Sequence, residues 1–345
     1  MLFGRCRRDV GSGSKHGGNA VRLLAASPLD FSPRRPWWGG DLQTIRNYAV
    51  EAGHALPSRA VERIEIPLKD GSGDRLVASL HLPRVDRNRP LVALIHGLAG
   101  CEKSCYMTVA TAFFLIRGYP VLMVNQRGAG PSRAACRGVY HAGSSDDFGT
   151  LLDQLDPWLT RHGVLPVGFS LGGNMLLKFL GEVGRHKAVR RAATVSAPLD
   201  LASSCRSLMR WRNFPYHRYL LTNIKLTCTG PGAELSETER TTILAARNLW
   251  QFDEGFTAPR HGYRGAAAFY EANSSGRFLD GIGTETLLIH AQDDPFVPAA
   301  AYLARDWSHQ PKLTLLLPQS GGHLGFHDPL GLWHLRQIHQ FFSQG

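Results

Sequence analysis

The apolar positions divide the chain into alternating elements. Residues 61–80 follow a period of two, with Val61, Ile64 and Ile66 before a polar turn at 69–74 and Leu76, Ala78 and Leu80 after it. That pattern predicts a β-hairpin at a sheet edge. Continuous apolar runs follow at 90–95, 119–125, 163–167 and 192–197, each the length of a strand buried on both faces. Helical segments lie between them: one over 104–117, one opening at Ser144 or Ser145 with Asp146 and Asp147 in its first turn, and one over 175–183. Strand and helix alternating at this spacing imply an α/β fold with a mostly parallel central sheet flanked by helices.

The alternation stops at about 199–279, a stretch rich in arginine and aromatic residues that reads as several helices. It resumes with a strand at 286–291, a helix near 299–308, a strand at 312–317 and an amphipathic helix over 330–342. The interruption is therefore expected to be a helical cap inserted before the strand at 286–291. The organisation predicted is a flexible basic N-terminus over 1–35 and one domain over 36–345 that carries the cap. Within it Pro36, Trp37 and Trp38 open a short arm, 36–45, packed on the body.

Composition changes this picture little. A chain of 345 residues with 43% hydrophobic residues can bury a large core. Lys and Arg outnumber Asp and Glu by 39 to 28, which admits transient contact with an anionic lipid surface, although a diffuse positive balance is more often solvated surface. The six cysteines, Cys6, Cys101, Cys105, Cys136, Cys205 and Cys228, form neither Cys-x-x-Cys pairs nor a dense framework, so reduced thiols in a cytoplasmic protein are expected. No apolar run reaches the length of a membrane span, and residues 1–20 lack the apolar core of a secretory signal. Arg5, Arg7 and Arg8 ahead of Asp9 leave an organellar transit peptide as the alternative to a plain basic extension.

The chemistry concentrates at three strand ends. The run at 163–167 leads into Gly168-Phe169-Ser170-Leu171-Gly172-Gly173-Asn174 and a helix leaves it, which puts Ser170 at a sharp strand-to-helix corner. Such a turn presses its flanking residues against the neighbouring strand and helix, so Gly168 and Gly172 stand where side chains would clash. The following helix aims its N-terminal N–H groups at developing negative charge. The motif carries weight through that context rather than by itself.

The strand at 286–291 runs into Asp293-Asp294-Pro295, and the strand at 312–317 into Gly321-Gly322-His323. Ligands gather at the carboxyl ends of parallel strands, so serine, acid and histidine can converge there. His323 would take the Ser170 proton and Asp294 would fix the imidazole tautomer. The backbone N–H groups of Leu98 and Leu171 would hold the oxyanion. Asp293 is the alternative acid, or else a residue that bonds nearby backbone. His327 is the nearest competitor of His323, and His96 is read as shaping the oxyanion loop.

Other chemistries find no support. Cys101 and Cys105 are four apart with no His or Cys pair to complete a zinc set, and neither a Walker A loop nor a G-x-G-x-x-G fingerprint occurs. No metal, cofactor or nucleic-acid partner is expected. The segment 206–219 interleaves Arg206, Arg210, Arg212 and Arg218 with Trp211, Phe214, Tyr216 and Tyr219. That mixture suits nucleic acid or a phospholipid head group, yet in a cap helix it is more often packing plus solvated arginine.

From Trp37 onward the chain resembles the YheT-like branch of the α/β-hydrolases, the abhydrolase-domain lineage. The resemblance rests on Asp41-Leu42-Gln43-Thr44-Ile45, Leu94-Ile95-His96-Gly97-Leu98, Asn125-Gln126-Arg127-Gly128, Tyr140-His141-Ala142-Gly143, the Ser170 corner, Phe252-Asp253 with Phe256-Thr257-Ala258-Pro259, Asp293-Asp294-Pro295-Phe296 and Gly321-Gly322-His323-Leu324-Gly325-Phe326. It implies the α/β-hydrolase fold and a carboxylic ester hydrolase for short- or medium-chain acyl esters, lipids among them. An acyltransferase or thioesterase with the same Ser170, Asp294 and His323, or a ligand-binding fold without catalysis, are the alternatives. The chain departs from the family pattern at Asp41, where histidine is usual, at Ala99, where an acid is common, and at Gln126, where an aromatic is usual. Eukaryotic relatives usually carry an N-terminal membrane anchor; without an apolar span here, a soluble, bacterial-type cytoplasmic enzyme is implied.

Overall fold

The structure is a computed structural model that describes residues 31–50, 56–85 and 87–344. Of the expected N-terminal extension, residues 1–30 lie outside the described residues. Helix α1 (Gly40–Val50) precedes the hairpin β1 (Ser58–Pro67) and β2 (Arg75–Pro83). Then come β3 (Leu91–Ile95), α2 (Cys105–Ile116), β4 (Val121–Asn125), α3 (Ser145–Gln154), the short α4 (Pro157–Thr160), β5 (Val164–Phe169), α5 (Leu171–Val183) and β6 (Ala192–Val195).

Six α-helices, with short 3-10 and π turns between them, separate β6 from the next strand of the sheet: α6 (Leu201–Leu208), α7 (Phe214–Cys228), α8 (Glu237–Ala245), α9 (Leu249–Phe252), α10 (Ala258–Arg260) and α11 (Ala266–Asn273). The chain ends with β7 (Thr286–Ile289), α12 (Ala300–Leu303), β8 (Leu313–Leu316), a two-stranded ladder of β9 (His327–Asp328) and β10 (Gly331–Leu332), and α13 (Trp333–Phe342).

The sheet runs in the order β1-β2-β4-β3-β5-β6-β7-β8, with β1 and β2 antiparallel and β4 through β8 parallel. The continuous apolar runs are explained by cover on both faces. Along β3, Leu91, Ala93 and Ile95 join one core while Val92 and Leu94 join the other. Helices α3 and α5 pack on the first face and α2 and α13 on the second. A side chain such as Leu94, wholly buried, contributes about 1.5–3 kcal/mol by leaving water.

Three local readings change. The elbow helix begins at Leu171 rather than at residue 175. The helix expected over 299–308 is a single turn, α12, that stops at Leu303. The terminal helix starts at Trp333, because Gly331 and Leu332 are held in the ladder with His327 and Asp328.

After β4 the chain crosses to the other side of β3 to form β5, so the loops following β3 and β5 leave the sheet in opposite directions. A crevice opens at such a switch point, above the carboxyl ends of the strands. The cap closes over it with its own apolar core, drawn from α6, α7, α9 and α11.

Candidate active site

Ser170 stands between β5 and α5 with φ 51° and ψ −121°, a conformation L-residues rarely adopt and one that persists only when its surroundings impose it. The surroundings here are backbone. A Cβ on Gly168 would lie 2.6 Å from the Gly172 carbonyl oxygen, and one on Gly172 would lie 2.4 Å from that of His96. On the other side of the serine, a Cβ on Gly97 would meet the Ser170 Cβ at 2.9 Å.

His323 Nε2 lies 2.9 Å from Ser170 Oγ, and its Nδ1 lies 2.8 Å from Asp294 Oδ2. Nδ1–H donates to the carboxylate, which leaves the Nε2 lone pair to accept the serine proton. The other carboxylate oxygen of Asp294 accepts from the N–H groups of Phe296 and Val297 at 2.8 and 2.9 Å. Asp294 is buried, which works to raise its pKa; attraction to His323 and these bonds outweigh that and hold the carboxyl below its ordinary value. The ring of Phe296 packs on His323 with centroids 4.5 Å apart.

Asp293 and His327, the alternatives, are engaged elsewhere. Asp293 Oδ1 accepts from the Gly322 N–H at 2.8 Å. His327 is buried, its Nδ1 2.6 Å from Arg46 Nη1 and its backbone N–H bonded to Gln43 Oε1.

The loop after β3, which carries the expected oxyanion donor Leu98, faces Ser170 across the same cavity. The Gly97 N–H donates to Tyr106 Oη at 2.9 Å and the Ala99 N–H to Tyr140 Oη at 2.6 Å. Both neighbours of Leu98 are thereby fixed, and Leu98 itself lines the cavity with Leu171 and Ser170. Leu171 is the first residue of α5, where an N–H has no acceptor within its own helix. His96 is wholly buried and burial lowers its pKa to about 4, so it is neutral at pH 7. Its Nδ1–H donates to the Gly97 carbonyl and its Nε2 accepts from the Gln126 N–H. It braces the loop, and Gln126 Nε2 adds a bond to the His96 carbonyl at 2.7 Å.

The sequence did not reveal the bracing of the histidine loop by α1. Thr44 Oγ1 accepts from the His323 N–H at 2.8 Å, and Gln43 spans to the His327 carbonyl as well. The expected arm at 36–45 thus includes part of a helix that holds His323. Asp41 pairs with Arg212 at 2.8 Å and accepts from Tyr216 at 3.3 Å, tying α1 to α7. The roles of Tyr106 and Tyr140 were also missed; Tyr140 stood in a family motif without an assigned task, and Tyr106 gave no signal.

Ser170 and His323 open into a cavity of about 160 Å³ walled mainly by apolar cap residues, among them Leu208, Ile224, Phe252 and Phe256. Asp253 is an exception in that wall. Its Oδ2 accepts from Tyr270 Oη at 2.5 Å, and burial pushes its carboxyl up to about 6. No group of three or more His, Cys, Asp or Glu side chains among the described residues is arranged to hold a metal ion. No helix among them is long and apolar enough to cross a membrane.

Residues 90–330 match a family described as alpha/beta hydrolase fold. The chain is 30% identical to "Putative esterase YheT" of Escherichia coli over 77% of its own length and 78% of that protein. It is 28% identical to mouse phospholipase ABHD3 over 71% of its length, but spans only 60% of that relative. Among solved structures it is similar to the Pyrococcus furiosus esterase Pf2001, with a TM-score of 0.57, 15% identity, and 91% and 97% of the two chains covered; a likeness at that identity speaks for the fold.

Proposed function

The chain belongs to the α/β-hydrolase fold family, in the branch of YheT, and we propose that it hydrolyses carboxylic esters of short- or medium-chain acids, lipid esters among them, through an acyl-enzyme on Ser170. The observation that carries this reading is the continuous set of contacts from Asp294 through His323 to Ser170, 2.8 and 2.9 Å long, ending in an apolar cavity. Its esterase- and phospholipase-named relatives support hydrolysis in general terms.

In the proposed reaction Ser170 Oγ attacks the ester carbonyl while His323 Nε2 takes its proton. Asp294, ionised and triply hydrogen bonded, stabilises the imidazolium that forms. Negative charge on the carbonyl oxygen is met by the Leu98 and Leu171 N–H groups, each such donor being worth about a hundred- to a thousandfold in rate. His323 then protonates the departing alcohol. Water, deprotonated by the same nitrogen, releases the acid. Transfer to another alcohol or thiol would differ only in this last acceptor. We also assign the enzyme to the cytoplasm, on the sparse spacing of its cysteines.

A fluorophosphonate probe tests the reading. Ser170 is expected to be the serine labelled, and Ser170→Ala to lose hydrolysis of p-nitrophenyl esters while keeping its circular dichroism spectrum. Labelling elsewhere, or turnover undiminished in Ser170→Ala, would overturn it.

A further inference from the structure

Helix α7 separates the cavity from solvent and has two unlike faces. Inward, His217, Leu221, Ile224 and Cys228 are buried, and Leu220, Ile224 and Cys228 line the cavity. Outward, Phe214, Arg218, Thr222 and Leu226 follow one another at intervals of four and are all exposed, with Tyr219 beside them. Just ahead of the helix Trp211 is 91% exposed, an extreme value for the largest apolar side chain. From 201 to 233 the chain carries Arg206, Arg210, Arg212, Arg218 and Lys225 and no acidic residue. Among the described residues Arg210 and Arg218 have no carboxylate partner.

The pair Arg212–Asp41 sets the start of α1 beside this face, and Trp38, Leu42 and Ile45, in and just before that helix, are exposed. Between the two helices lies an apolar depression of about 330 Å³ lined by Ile45, Tyr106, Tyr216, Tyr219, Phe296 and His323. It runs from the patch to the catalytic histidine. Aromatic side chains with arginines on one exposed helical face are the composition of a segment that lies in a membrane interface. Arg210 and Arg218, which have no carboxylate partner among the described residues, complement anionic head groups, while Arg212 is paired with Asp41. A helix that merely closed a cap would gain nothing from Trp211 and Phe214 in water.

We propose that the outer face of α7, with Trp211 and the start of α1, docks the enzyme on an anionic lipid surface, with the depression between α1 and α7 as the path by which a lipid ester reaches Ser170. The docking surface stands on its own observations. What is delivered there rests on the ester-hydrolase reading.

The test uses the full chain and vesicles of phosphatidylcholine, with or without about 30 mol% phosphatidylglycerol. Wild type is expected to float with the anionic vesicles at low salt and to be released as salt shortens the screening length. Trp211→Ser/Phe214→Ser and Arg210→Glu/Arg218→Glu should each partition at least about tenfold less, yet hydrolyse a water-soluble p-nitrophenyl ester at the wild-type rate. Ser170→Ala should bind vesicles like wild type, which separates failure of docking from failure of catalysis. Absence of vesicle binding by wild type, or equal binding by both double variants, would overturn the proposal. So would retention of an oligonucleotide in place of vesicles, which would reassign the face to nucleic acid.

Discussion

The carboxylate of Asp293 accepts the Gly322 N–H at 2.8 Å, one residue ahead of His323, while its neighbour Asp294 bonds the His323 ring itself. Two adjacent acids thus hold the histidine loop, one through the backbone of Gly322 and one through the imidazole of His323. If Asp294 is the triad acid, Asp294→Asn should lower kcat by roughly ten-thousandfold, since an amide favours the wrong tautomer. Asp293→Asn should cost far less, because Asn still offers an oxygen to Gly322. Turnover of one activated ester by both variants decides it; a larger loss for Asp293→Asn would reverse the assignment.

Tyr140→Phe should slow acylation without weakening substrate binding. Its hydroxyl accepts the N–H of Ala99, which sits at φ 56°, and removal leaves that half-buried donor without this partner, at a cost of about 1 kcal/mol. Leu98, one residue earlier, would then be less firmly aimed. The expected result is a fall in kcat of about tenfold or more with KM nearly unchanged. A rise in KM alone would assign Tyr140 to the substrate pocket instead.

Gly172→Ala is expected to disable the site and destabilise the fold together. The new Cβ would lie 2.4 and 2.6 Å from the carbonyl oxygens of His96 and Ile95, and neither is the end of a flexible side chain. Backbone must move, at a cost of roughly 1–3 kcal/mol, and the oxyanion loop moves with it. Urea unfolding and fluorophosphonate labelling should both register the change.

Asp253 predicts a pH dependence of stability. Burial raises its carboxyl from 3.8 to about 6 in the folded chain, so between those values the native state holds the proton more tightly than the unfolded one. Stability is then lost as pH rises through this window and levels off above it, by no more than about 3 kcal/mol in all. Asp253→Asn, which keeps an acceptor for Tyr270, should remove that loss. Its stability relative to wild type should increase by up to about 2 kcal/mol between pH 4.5 and 7.5 in urea titrations. A constant difference across this range would contradict the assignment.

The sequence determined those features that depend on short stretches of chain. Strands buried on both faces need unbroken apolar runs, and β3, β4 and β6 lie within the runs visible in the sequence, while β5 continues from its run to Phe169. The corner at Ser170 needs glycine on both sides, because Gly168 is pressed against the start of α5 and Gly172 against the end of β3. The three strand ends that carry serine, acid and histidine follow from the same alternation. What the tertiary structure decided are relations across the chain. Gln43 and Thr44 brace a loop some 280 residues away, as the separations of 284 and 279 show, and Tyr140 steadies Ala99 from beyond β4. Nothing in local periodicity encodes such pairings, because a side chain's partner is set by how the sheet and its helices pack. Asp293 and Asp294 make the point most sharply: the sequence favours the second of these neighbours of the same type but leaves the first open, and which part of the histidine loop each carboxylate meets depends on β7 and β8 lying side by side.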